Sequence, residues 1–297
     1  MRVDPFYVTN LANALNQTQS TQQQLSAELA SGLRISEIGD DPVAAAQNVQ
    51  LLNNIQQDDS FTQTSTLTQG RLQVTDSTLG DVVTQLNQAL SLAAQANNGT
   101  LDASDLKAIS SQIAGVRDEV LSLANTSYQG QYLFGGSDTG TTPFTLDTST
   151  TPATVTYNGD SDVTSLVSPT GQSIQLNLPG NQVFTSATAS VLGTLNSLVA
   201  DYAGGTNAGG AADTASLNTA LNFVSQQRVT IDNSITRLTA ASGVATEQST
   251  QLTGVQTDLM QANVATISTQ LALAESQQTG LIAVISSLGQ GSLFDKL

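Results

Sequence analysis

The chain contains no cysteine and no histidine in its 297 residues, and it has only 8 lysines and arginines against 24 aspartates and glutamates. Without thiols there can be no disulfide framework and no thiolate metal site. Without imidazole, zinc-dependent and nucleophilic mechanisms lose their usual ligands and bases. A formal net charge of -16, with no basic stripe interleaved with aromatics, opposes binding to nucleic acid or to an anionic membrane. Nowhere do eighteen apolar residues run together, so no transmembrane helix is expected. The opening Met1-Arg-Val-Asp-Pro-Phe6 has neither an apolar h-region nor a small-residue cleavage site, which predicts a soluble chain with no cleaved signal peptide. Only 11% of residues are charged and 4% aromatic. Large side chains are too few to fill a broad core, and long, thin helical packing fits that supply.

What is present is periodic. Met260, Val264, Ile267, Leu271, Ala274, Leu281, Ile285 and Leu288 recur at alternating spacings of four and three, interrupted at Gln278, as a coiled-coil seam does. Similar seams run through Leu106, Ile109, Ile113, Val116, Val120 and Leu123, and through Leu217, Leu221, Val224, Ile231, Ile235 and Leu238. At the amino end Leu11, Leu15, Leu25 and Leu29 keep the register through Thr18 and Gln22, predicting a helix to about Ser31 with Gly32 as its C-cap. A helix this rich in Gln, Ser, Thr and Asn is marginal alone and needs a partner surface. Packing within one bundle and packing between neighbouring copies both satisfy these seams.

Asp40-Asp41-Pro42 reads as a helix start, a carboxylate N-cap ahead of proline at the first helical position. The helix that follows is expected to run to about Ala96 with one or two interruptions. Asn97-Asn98-Gly99 then turns the chain, and Asp102 or Ser104 caps a second leg ending at Asn125. From Gln129 to Phe144 glycines, aromatics and β-branched residues take over. Asn158-Gly159 after Val155-Thr-Tyr157 predicts a hairpin turn, and Ser173 to Leu178 alternates like a strand. Helix returns near Ser186, a glycine-rich loop follows at 204–210, and the remainder reads as helix to about Leu288, with Gly243 and Gly254 as weak points. The predicted fold is mainly α: an elongated helical bundle or coiled coil formed by both chain ends, with a small β-rich insert. Its expected segments are an assembly helix and loop (1–44), a rod (45–136), a β-rich outer domain (137–186), the returning rod (187–250) and a second assembly helix (251–297).

No catalytic, cofactor or metal site is expected. Asn158, Asp160 and Asp162 have calcium-loop spacing, yet Val163 and Pro169 stand where the loop needs glycine and glutamate. The neighbouring Asp58 and Asp59 diverge by about 100° on a helix and are expected to face solvent rather than one substrate.

Five stretches in order carry a resemblance: Leu29-Ala-Ser-Gly-Leu-Arg34 with Asp40, Asp41 and Pro42; Gly130-Gln-Tyr132-Leu133-Phe134-Gly135-Gly136; Pro143-Phe144; Tyr157-Asn-Gly-Asp160; and Ser292-Leu293-Phe294-Asp-Lys-Leu297. Together they resemble the flagellin family over the whole chain, and within it the subunits that join hook to filament rather than flagellin itself, the alternative. The departures are Ser36-Glu37-Ile38-Gly39 in the loop before the acidic pair, where the family has an asparagine, and Gly280 inside the last seam. The resemblance implies terminal helices that order on assembly, joining Leu11, Leu15, Leu25 and Leu29 to Val264, Ile267, Leu271, Leu281, Ile285 and Leu288. It also implies a place in the extracellular flagellum, reached by type III export without a cleaved signal. The implied partners are copies of the chain in a ring, an upstream hook-associated protein, flagellin and an export chaperone.

Overall fold

The structure is a computed structural model describing residues 5–290, with side chains described from 6 to 287. The fold is mainly α, with the two chain ends packed together and a small strand-containing middle region. Two compact units divide it, one of residues 1–57 with 248–297, the other of residues 58–247.

The first unit holds α1 (Pro5–Ser31) and α7 (Val264–Gln290), which pack against each other, together with the start of α2 (Pro42–Ala96) and the end of α6 (Gly210–Met260). Its buried apolar cluster is small: Leu25, Ala262 and Ile267, with Leu271 packed against them. Leu33 pairs antiparallel with Gln261, so α1 and α7 leave this point side by side in opposite chain directions.

The second unit carries the main core. Leu72 to Ala96 of α2, Leu106 to Ala124 of α3 (Ala103–Ala124), Val191 to Tyr202 of α5 (Val191–Ala203) and Leu217 to Leu238 of α6 contribute one continuous apolar cluster. Asp102 starts α3 with a capping box: its side chain accepts from the N–H groups of Ser104 and Asp105, and Asp105 returns a bond to the Asp102 N–H. Asn125 caps the other end. Three antiparallel strand pairs follow: β1 (Ser127–Tyr128) with β2 (Gln131–Tyr132), β3 (Phe144–Asp147) with β4 (Thr154–Tyr157), and β5 (Ser165–Val167) with β6 (Ser173–Gln175). A short helix, α4 (Gly180–Val183), leads into α5. Phe134, Phe144, Phe184 and Tyr157 join the strands to the helical core, their ring centroids 5.0 to 5.4 Å apart in edge-on or tilted pairs.

Four expectations are corrected. The helix after Pro42 is uninterrupted for 55 residues. Its Gly70 and Gly80 are sites of close approach rather than breaks, since a Cβ at Gly70 would stand 3.1 Å from the Tyr128 hydroxyl and one at Gly80 3.5 Å from the Arg228 guanidinium. That guanidinium reaches past Gly80 to Asp76 in a two-pronged ion pair at 2.8 and 3.0 Å. Gly243 and Gly254 leave α6 intact, and the late interruption falls at 261–263 instead, because Gln261 and Ala262 turn their backbone toward Leu33 and Gly32. Met260 and Val264 therefore belong to different helices. Asn158-Gly159 makes no two-residue hairpin: β4 pairs back to β3, and Asn158 donates its N–H to Pro143 while its side chain reaches Thr142 and Thr145.

The fourth correction is Asp58. Its side chain is 3% exposed, one carboxylate oxygen has no partner among the described residues, and burial followed by the charge of Asp59 raises its pKa. The helix turns Asp58 inward along the same face as Phe61 and Ser65, both buried, so spacing from Asp59 alone misjudged it. A raised folded pKa means that Asp58 weakens the fold once pH exceeds its unfolded value and ceases to do so in acid. Asp58→Asn is expected to raise the thermal midpoint at neutral pH by roughly 2–4 °C, with the gain shrinking at acid pH. An unchanged or lowered neutral midpoint in a pH series of melting scans would contradict this account.

Candidate assembly interface

The terminal helix pair is unusual in charge. Each helix has 27 residues and one side chain charged at neutral pH, Glu28 in α1 and Glu275 in α7, in a chain of net charge -16. Polar cover comes instead from neutral Gln, Ser, Thr and Asn.

On α1, Leu11, Leu15, Thr18 and Gln22 are half-buried and Leu25 is buried, stepping by four and three. On α7, Ile267 is buried, Leu271, Gln278, Leu281 and Ile285 are half-buried, and Ala274 is buried in the same stepping. The cluster brings Leu25 directly to Ile267, with Leu271 beside them. Leu29 and Val264 stand elsewhere, at 37% and 55% exposure. Leu29 falls on the outer side because the inward position in its turn is Glu28, half-buried. Val264 opens α7, ahead of the first buried seam position. The side chain of Leu288, and Leu293 and Phe294 entirely, lie outside the described residues. Beyond the seam, Phe6, Tyr7, Val8, Leu273, Ile282 and Val284 are exposed apolar residues on the same two helices.

Two chain breaks meet at the top of this pair. Gly32 ends α1 in the left-handed region at φ 70°, its N–H bonded to the Glu28 carbonyl, as helix C-terminal glycines do. Its own carbonyl then accepts from Ala262, and the Arg34 N–H donates 2.8 Å to the Met260 carbonyl. The Arg34 guanidinium reaches the Leu259 carbonyl at 3.1 Å and Asp41 at 3.4 Å. Ile35, 3% exposed, anchors the loop. Asp40 closes it, one carboxylate oxygen accepting from the N–H groups of Ser36 and Glu37 and from the Ser36 hydroxyl. Asp41 caps α2 by accepting from Ala44 at 3.0 Å, and Pro42 occupies the first helical position. On the other strand of the joint, Asn263 caps α7 through Thr266. Sequence reasoning missed Arg34 and Asn263. Asn263 was detectable as a cap residue three before Thr266, whereas the partners of Arg34 are 225 residues away in sequence.

The Tyr132 to Gly136 stretch belongs to the second unit and is internal. Leu133 and Phe134 are buried, and the Phe134 carbonyl accepts from Gly180 at 2.8 Å and from the Tyr157 hydroxyl at 2.9 Å. A Cβ on Gly135 would collide with the Asp138 carbonyl, and one on Gly136 with Asp160. Asp160 spends its carboxylate on the Ser137 hydroxyl and on the N–H groups of Ser137, Asp162 and Asp138, which hold its pKa down at about 2. Its role is to fasten a turn.

Residues 7–139 match the profile of the bacterial flagellin N-terminal helical region. Over those residues the chain is similar to the flagellin family. Over 187 residues, 63% of its length, it is 27% identical to flagellar hook-associated protein 3 of Salmonella typhimurium, and it spans 57% of the length of that relative. It is 30% identical over 131 residues to flagellin of Bacillus subtilis, covering 43% of each chain. Its fold is shared by flagellar hook associated protein-3 of Legionella pneumophila, at a TM-score of 0.63 and 15% identity, over 72% of this chain and 98% of that one.

Hydrogen bonds from Glu37 and Ser36 lower the pKa of Asp40, and the bond from Ala44, helped by Arg34, lowers that of Asp41. Carboxylates depressed in the folded state stabilise it above their unfolded values, about 3.9, and lose that contribution as pH falls through the folded values. Asp40→Ala is expected to speed amide exchange at Ser36 and Glu37 several-fold at neutral pH, and in acid the wild type's protection relative to the intrinsic exchange rate should fall to that of the variant. Unchanged exchange at both amides would show that Asp40 does not hold the loop.

Proposed function

We propose that this chain is a structural adaptor of the bacterial flagellum, joining the hook, through an upstream hook-associated protein, to the flagellin filament. It assembles as a ring of copies, with residues 1–44 and 251–297 as the assembly segments and 137–186 as the outward domain. An export chaperone holds it before type III export, which needs no cleaved signal peptide. The observation that carries this reading is the terminal pair: two long, almost uncharged helices whose own buried cluster is small and whose outer faces keep Phe6, Tyr7, Leu273, Ile282 and Val284 exposed. Chains of net charge -16 repel one another, and surfaces without charge are where such chains approach at least electrostatic cost. Burial of apolar area at about 25 cal/mol per Å² by neighbouring copies then orders helices that one copy stabilises poorly. Leu11, Leu15, Leu25, Ile267, Leu271, Leu281, Ile285 and Leu288 act as the seam, and Leu29 and Val264 face neighbours.

The likeness to a flagellin over 131 residues supports a second reading, a filament subunit. Mixing purified protein with hook fragments separates the two under the electron microscope. A junction protein caps the fragments with a short zone; growth of long filaments by the protein alone would establish the filament subunit instead.

In the free monomer the amides of α1 and α7 are expected to exchange quickly while those at the core of the second unit stay protected. Slow exchange in both terminal helices would oppose assembly-linked ordering. Replacing Leu281 and Ile285 together by Asp is expected to abolish capping of hook fragments while leaving the thermal transition of residues 58–247 in place. Loss of that transition along with capping would point to one cooperative globule.

A further inference from the structure

The chain has two Asn-Gly pairs, Asn98-Gly99 and Asn158-Gly159, and the structure treats them in opposite ways. Asn98-Gly99 lies in the turn between α2 and α3. Both residues are exposed, Gly99 has φ 70°, and nothing stands within 4 Å of where its Cβ would be. Among the described residues neither the Asn98 side chain nor the Gly99 N–H has a hydrogen-bond partner; the bond that Asn98 does make is from its own N–H to Gln95, at 3.3 Å. By contrast Asn97, one residue earlier, is tied by its side chain to Thr214 at 3.1 Å.

Asn158 is exposed too, but it is tied in place, and Gly159 is half-buried. The Asn158 amide donates to the Thr142 carbonyl and the Thr145 hydroxyl, its N–H donates to Pro143, and the following Asp160 N–H donates to Gly135. A Cβ on Gly159 would stand 2.5 Å from the Tyr157 hydroxyl and 2.6 Å from the Gly135 carbonyl, so the backbone here has no room to swing.

We propose that Asn98 is a site of spontaneous deamidation in the folded protein and that Asn158 is shielded from it. The Gly99 nitrogen attacks Cγ of Asn98; a C–N bond forms, the bond to the side-chain nitrogen breaks, and that nitrogen leaves as ammonia carrying the Gly99 proton. Water then opens the cyclic imide at either carbonyl, leaving aspartate or isoaspartate. Glycine favours the attack because no side chain crowds the nucleophile, and asparagine is among the thermolabile residues for this reason. The product adds one negative charge just beyond the carboxyl end of α2, close in sequence to Asp102 and Asp105, so the modified chain is a separable charge isoform.

The full chain is aged in mildly alkaline buffer, folded in one arm and in denaturant in the other, then digested with trypsin and mapped by mass spectrometry. Asn98 falls in the peptide 72–107 and Asn158 in 118–228, and fragment spectra place the change within each. In the folded arm conversion at Asn98 is expected to exceed that at Asn158 by about tenfold or more, because Asn158 reacts only after local opening against several hydrogen bonds. In denaturant the two rates should converge, and Asn98→Gln should remove the folded-arm product. Equal conversion at the two sites in the folded arm, or an Asn98 that converts only in denaturant, would overturn the proposal.

Discussion

The unequal distribution of apolar side chains along the chain governs the whole structure. Between Leu72 and Leu238 enough of them converge to give one continuous core that also takes in the strands through Phe134, Phe144 and Phe184. Where the terminal helices pair, the buried apolar cluster among the described residues is small: Leu25, Ala262 and Ile267, with Leu271 at its flank. Hydrophobic burial is proportional to the area removed from water, while ordering a helix carries an entropic cost at every residue. The terminal pair is therefore the part of the chain with most to gain from further surface, and the low charge of α1 and α7 leaves that surface approachable.

Backbone hydrogen bonding sets the second constraint. Where α1 stops and where α6 gives way to α7, carbonyl and N–H groups lose their helical partners. Each break satisfies the other: Gly32 with Ala262, Arg34 with Met260, and the Arg34 side chain with Leu259 and Asp41. Asp40 and Asp41 spend their carboxylates on backbone N–H groups in the same joint. Acidic residues that a composition count enters as repulsive charge act locally as caps. The same is true of Asp160 in the strand region and Asp102 at the start of α3. Asp58 differs: it is buried, and one of its carboxylate oxygens has no partner among the described residues.

Much of the helical framework was legible because caps and periodicity are local. Asp41-Pro42, Asp102, Gly32 and Asn125 mark real helix boundaries, and the four-three stepping from Leu11 and from Ile267 gives the inward faces of α1 and α7. The errors share one cause. The turn expected at Asn158-Gly159 and the weak points expected at Gly243 and Gly254 rest on neighbours in sequence, whereas Asn158-Gly159 answers to Thr142 and Gly135, and the break at 261–263 to Leu33 and Gly32.

The amino-acid sequence by itself therefore determined the helical class, the inward stepping from Leu11 to Leu25 and from Ile267 to Ile285, and the absence of thiol and imidazole side chains, since each depends on residue identity and short-range spacing. Only the tertiary structure decided that Leu29 and Val264 lie outside the seam, that Asp58 is buried, that Tyr132 to Gly136 is an internal fastening rather than a surface, and that one Asn-Gly pair is locked while the other is open. Those outcomes depend on which distant backbone groups and side chains come within hydrogen-bond or van der Waals reach, and local sequence carries no record of that.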